Sequence, residues 1–123
     1  MIDIVQLLTE SVSQRASDLH LSAGVVPMIR VDGELKKLDH YALHHDDIIE
    51  VLNSIMSEAQ LAHFAHAMEC DFSFEIAGLS RFRVNAYQQT RGVAVAFLNV
   101  FLLWKMCLRL LFLLNSPAVR VGW

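Results

Sequence analysis

An α+β fold with a mostly antiparallel sheet of about six strands and about three helices is predicted for residues 1–97. Three observations predict it. Apolar and polar residues alternate over Asp18–Ser22, Cys70–Ile76 and Arg81–Tyr87, the period-2 mark of half-buried strands. Glycine-bearing turns at Asp32-Gly33, Ala77-Gly78-Leu79 and Thr90-Arg91-Gly92 sit between strand-like runs at hairpin spacing. Between these runs the apolar residues change to helical spacing.

In chain order, Asp3 is placed to cap a first helix whose Ile4, Val5, Leu8 and Val12 share a face. Asp18–Ser22 is a short strand with Leu19 and Leu21 inward, and Gly24 and Pro27 mark the loop after it. Met28–Val31 and Glu34–Leu38 form a hairpin about Asp32-Gly33. Asp46-Asp47 opens a second helix, with Ile48, Val51, Leu52 and Ile55 on one face and the acids at its N-terminal dipole. Ser57 and Gln60 make a capping box for a third, whose stripe is Leu61, Phe64, Ala65 and Met68. Two alternating strands follow, and Val93–Phe97, apolar throughout, is expected to be a central strand.

With 123 residues, 54% of them hydrophobic, the chain has room for one domain and its core. A net charge of −3 excludes a whole-chain nucleic-acid binder. Two cysteines are too few for a disulfide scaffold and fit a reduced, cytoplasmic protein, and no signal peptide is expected at Met1-Ile2-Asp3-Ile4. The average hides a break. All thirteen acids precede residue 76, so residues 1–97 carry −6 (seven basic against thirteen acidic), whereas residues 98–123 hold only Lys105, Arg109 and Arg120. This Leu-rich tail, expected to be irregular or helical, is not expected to span a membrane, although association of the tail with one stays open. Thirteen Leu, Phe and Val residues between 94 and 114 favour insertion by about 4–8 kcal/mol, and two central cations cancel most of that at about 2.5–3.5 kcal/mol each.

Chemistry-bearing motifs are few. None of the five glycines precedes a lysine, and none of the three lysines precedes Ser or Thr, so no Gly-x-x-x-x-Gly-Lys-Ser/Thr loop exists to cradle a triphosphate. His44-His45, His63, His66 and Glu69 lack a His-Glu-x-x-His pattern and read as solvated side chains, so no metal site is expected. Cys70 reads as a buried thiol, and no catalytic residue is assigned. Arg81, Arg83 and Arg91 are the cations of interest: three guanidiniums at one end of a sheet would grip a phosphate or a partner's carboxylate, or would instead form a solvated face paired with Asp71 and Glu75 on the adjacent strand.

Four blocks carry a resemblance: Ala16-Ser17-Asp18-Leu19-His20-Leu21-Ser22-Ala23-Gly24, Pro27-Met28-Ile29-Arg30-Val31-Asp32-Gly33, Glu69-Cys70-Asp71-Phe72-Ser73-Phe74-Glu75, and Arg81-Phe82-Arg83-Val84-Asn85-Ala86-Tyr87 with Arg91-Gly92. In this order they resemble the N-terminal domain of the PilT family of type IV pilus retraction ATPases, within the secretion ATPase superfamily. The resemblance implies a PAS-like domain over 1–97, followed in the family by a RecA-like domain with the Walker motifs. It implies a homohexamer that binds ATP and Mg between the two domains and drives pilus disassembly and twitching motility at the type IV pilus machine, on the inner face of the inner membrane. It makes Arg81, Arg83 and Arg91 candidate phosphate-approaching arginines, and makes Asp18 and His20 structural.

After Phe97 the chain departs from the family, which continues with an arginine, a Pro-containing loop and a Leu-Glu pair. A frameshift is expected. Reading the last base of each codon with the first two of the next, Trp104-Lys105 forces Glu, Lys105-Met106 forces Asp or Asn, Met106-Cys107 forces Val, and Phe101–Trp104 can yield Pro-Ala-Leu. Residues 98–123 are thus expected to be out-of-frame product, with the RecA-like domain absent and no ATPase activity in this chain. Two other readings stay open: a stand-alone module that binds and modulates an intact hexameric motor, and a tail-anchored PAS-like sensor.

Overall fold

The structure is a computed structural model and describes residues 2–114. The elements are α1 (Ile4–Ser13), β1 (Asp18–Ser22), β2 (Met28–Val31), β3 (Glu34–Lys37), α2 (His45–Ile55), α3 (Glu58–Ala67), β4 (Glu69–Ile76), β5 (Ser80–Gln89), β6 (Gly92–Asn99) and α4 (Val100–Leu114). All six strands join one antiparallel sheet in the order β3-β2-β1-β6-β5-β4. The fold is therefore α+β, as the alternation predicts, and β6 is central. The expected tail begins inside β6, which runs two residues past Phe97, and continues as α4; residues 115–123 lie outside the described residues.

The core is built in cross-strand rows. Phe72, Val84, Phe97, Leu19 and Ile29 stand opposite one another across five strands, and Cys70, Ala86, Val95 and Leu21 form the next row. Both rows are buried, with Ile4, Leu7 and Leu8 of α1 and Ile48, Val51 and Leu52 of α2 in the same cluster. Directly opposed apolar side chains are the unit of sheet stability, and a one-residue slip would turn a whole row to the other face.

Local signals set the ends of the elements. Asp3 caps α1, its Oδ1 accepting from Gln6 N–H at 3.2 Å. α1 closes with Ala16 N–H donating to Ser11 O and Arg15 N–H to Val12 O, which puts Arg15 at φ 59° in the left-handed region. Asp32 and Gly33 both have positive φ, the turn that a tight hairpin needs. Ser57 and Gln60 exchange the reciprocal bonds of a capping box at 3.2 and 2.9 Å.

Two helical faces differ from the sequence expectation. In α1 the buried stripe is Ile4, Leu7, Leu8 and Ser11, while Val5 is exposed and Val12 only half-buried. Helix α3 buries nothing completely: Leu61 and Phe64 reach the core margin, whereas Ala65 and Met68 face solvent. It packs on β4, an edge strand, where there is little core left to cover.

Asn99 starts α4, its Oδ1 accepting from Leu102 N–H at 3.1 Å and from Ser80 Oγ at 2.8 Å. Beyond that cap the helix buries no residue, and Trp104, Leu108, Leu111 and Phe112 (76% exposed) lie in solvent. No helix among the described residues is long and apolar enough to cross a membrane.

Phe97→Ala is expected to cost about 3–5 kcal/mol, read as a fall in the urea midpoint. Leu111→Lys with Phe112→Glu should reduce self-association in light scattering without lowering the melting temperature, because neither side chain supports the core.

Candidate functional site

The sheet alternation sends a second set of residues to the face opposite the core rows, and this face carries most of the chain's organised polar chemistry. Asp18, first in β1, stands opposite Arg30 of β2 and Leu98 of β6. It is 7% exposed, so its carboxylate has lost most of its water and needs donors. Ser17 Oγ and His20 Nε2 both donate to it, and Arg30 Nε lies at 3.4 Å. Arg30 Nη1 in turn donates to Gly33 O at 3.1 Å, and Ser17 N–H to Arg30 O at 2.9 Å. This network ties the loop before β1, β1, β2 and the β2–β3 turn to one carboxylate. Since an ionised carboxylate only accepts, His20 carries its proton on Nε2. Every bond here ends inside the protein, with three donors on the one buried carboxylate, which suits a brace.

On β4 and β5 the same face bears alternating charge. Arg83 makes a forked contact to Asp71, with Nη2 at 2.6 Å from Oδ2 and Nε at 3.1 Å from Oδ1. The hydrogen bonds from Arg83 hold the Asp71 carboxyl below its ordinary range; burial opposes them, and the Arg83 charge adds to the lowering. Arg81 stands opposite Glu75 with a looser contact of 3.4 Å. Arg91 is exposed in the β5–β6 turn and makes no ion pair among the described residues.

The three arginines do not converge. Arg81 and Arg83 lie at the start of β5, beside the Phe82↔Asn99 rung, whereas Arg91 lies beyond the last rung, Gln89↔Gly92. Six residues of strand run from Arg83 to the end of β5 at Gln89, about 20 Å, and Arg91 lies in the turn beyond. The expectation of three guanidiniums at one end of the sheet is corrected: the strand is longer than the spacing argument allowed, and the two ends of a hairpin arm cannot meet. Arg81 and Arg83 do share a face, and both are engaged by the acids of β4.

Other candidates are quieter. Burial, and secondarily the charge of Asp71, pushes the Cys70 thiol above its ordinary range, which keeps it a protonated core residue. His63 and His66 are exposed, and no group of three His, Cys, Asp or Glu side chains among the described residues could hold a metal. A cavity of about 480 Å³ lies between α4 and the α1 end, lined by Arg15, Asp32, Leu102, Met106 and Arg109 among others. A second of about 450 Å³ lies beside Ile2, Glu50 and Phe74. None of the three candidate arginines lines either. Spacing missed the Arg30 bridge to Asp18, because only the pairing of β1 with β2 brings them together.

No protein-family model matches the chain. It is similar to the type IV pilus retraction ATPase PilT of Pseudomonas aeruginosa, 46% identical over 99 residues, which are 80% of this chain and 29% of that protein. A twitching motility protein of Neisseria gonorrhoeae is 33% identical over 97 residues, and the type IV pilus ATPase PilU of Pseudomonas aeruginosa 30% over 99, each covered to 26%. The chain thus spans under a third of the length of these relatives. A crystal structure of the pilus retraction motor PilT with bound ADP superposes with a TM-score of 0.75 at 35% identity, covering 80% of this chain and 29% of that one. The ATPase DotB of Legionella pneumophila shares the fold, with a TM-score of 0.69 at 20% identity.

Because the folded-state pKa of Asp71 is depressed, its pairing with Arg83 stabilises the fold above the ordinary carboxylate range and is lost as pH falls through the folded value. In an NMR titration Asp71 should titrate lower in the parent than in Arg83→Gln, and the stability difference between the two proteins should close in acid.

Proposed function

We propose that residues 1–97 are the N-terminal, PAS-like module of a PilT-type retraction motor. The observation that carries this reading is the joint match in sequence and fold to PilT, 46% identity and a TM-score of 0.75 over four-fifths of the chain. In the intact motor this module would stand in a homohexameric ring at the type IV pilus machine, beside a domain that binds ATP with Mg.

The chain's own residues fit a supporting role in that scheme. The Asp18 network braces one end of the sheet, and Arg81 and Arg83 present a charged face whose acids are supplied by β4. Arg91, free of such partners among the described residues, is the arginine best placed to meet a phosphate brought by another domain. No pairing of glycine amides with a following lysine is present to hold β- and γ-phosphates, so the chain alone is inactive on this reading.

Residues 98–123 are, in the same proposal, product of a shifted reading frame. Three observations support it: the relatives match only 97–99 residues, acids stop at Glu75, and α4 exposes a run of large apolar side chains that a selected surface would carry as polar ones. Nucleotide sequence downstream of the Phe97 codon is expected to encode a Walker A loop in another frame; an uninterrupted frame with no such coding would defeat the proposal.

The purified chain is expected to show no ATP turnover above a protein-free blank in a phosphate-release assay with Mg. Turnover that co-purifies with the chain and survives high salt would overturn the inactive reading.

A further inference from the structure

The β5–β6 turn is fastened by one side chain from outside the sheet. β1 ends at Ser22, opposite Ala94, so Val93 lies just past the last rung of that ladder. There Val93 N–H donates to Nδ1 of His45, the first residue of α2, at 3.3 Å. The imidazole lies so close that a Cβ on Gly92 would meet Nδ1 at 2.7 Å, and Gly92 itself has a φ of +129°. Only glycine satisfies both the backbone and the space. The residue before it is Arg91, exposed at the tip of the turn.

An imidazole nitrogen accepts only while it carries no proton, so the bond requires His45 to be neutral with its hydrogen on Nε2. We propose that His45 is a proton-operated latch: the neutral ring ties the turn bearing Arg91 to α2, and the imidazolium, with a hydrogen on both nitrogens, releases it. Histidine is the side chain suited to such a change between about pH 5 and 8. The charged and titratable residues nearest to it in sequence, or beside Gly92, are Arg91 on the turn, His44, Asp46, Asp47 and Glu50 on and beside its own helix, and Asp39, His40 and Tyr41 in the segment before it. The Ala23–Pro27 loop carries none, and Asp18 and His20 of β1 project from the opposite face of the sheet. Asp47 is already engaged, its Oδ2 accepting from His44 N–H at 2.8 Å. The latch concerns the turn itself and stands whether or not the chain derives from a pilus motor.

The test is hydrogen exchange resolved to single amides on the full chain, at pH 7.5 and 5.5, corrected for intrinsic rates. Acidification should lower protection of Val93 by about tenfold or more while Val95 and Phe97, in the middle of the ladder, keep theirs. His45→Asn, whose side-chain oxygen accepts but does not titrate, should hold the Val93 amide equally at both pH values. Ring nitrogen shifts should show Nδ1 unprotonated at pH 7.5, a readout that needs no variant to fold. Equal Val93 protection at both pH values in the parent, the same acid loss in His45→Asn, or a proton on Nδ1 at pH 7.5 would each overturn the latch.

Discussion

The antiparallel ladder between β1 and β6 is the constraint on which the rest depends. It joins residues 18–22 to residues 94–98, and no other pairing links the β1–β3 half of the sheet to the β4–β6 half. Closing so long a loop costs chain entropy that no local turn can offset. What offsets it is the density of burial along the ladder: Leu19 meets Phe97 and Leu21 meets Val95, and all four are almost wholly excluded from water. Helices α1 and α2 are then held to the same apolar face, and the polar face behind it inherits its register.

The two ends of β1 are finished in different ways. At its start, a desolvated carboxylate gathers donors from three segments, so Asp18 serves as a tie between neighbours. At its finish the strand simply stops, and a helix residue supplies the acceptor that the missing strand would have supplied. Both solutions answer the same requirement, that backbone and side-chain polar groups removed from water find partners. Among the described residues no buried side-chain nitrogen or oxygen is left without one.

Much of this was legible in the sequence wherever the signal was local. The Asp32-Gly33 hairpin, the Ser57/Gln60 box and the central position of the last strand follow from neighbouring residues alone. The helix faces are less legible, since Leu7 in place of Val5 faces the core for reasons set by the sheet beneath α1 rather than by spacing within it. The arginines show the limit more sharply. Alternation correctly placed Arg81 and Arg83 on one side of one strand, but the distance to Arg91 depends on where β5 ends and how β6 pairs with it. Likewise the Asp18–Arg30 and His45–Val93 contacts join residues 12 and 48 positions apart, and nothing in their own surroundings announces a partner.

The strand order also bears on how the polypeptide is made. β6 occupies the middle of the sheet but is the last of the six described strands to leave the ribosome. Until it emerges, β1 and β5 each present an unpaired edge with an apolar face, the kind of surface on which nascent chains misassemble with one another. Synthesis therefore imposes an interval in which two half-sheets wait for a common partner, and the accuracy of folding rests on keeping them apart for that time.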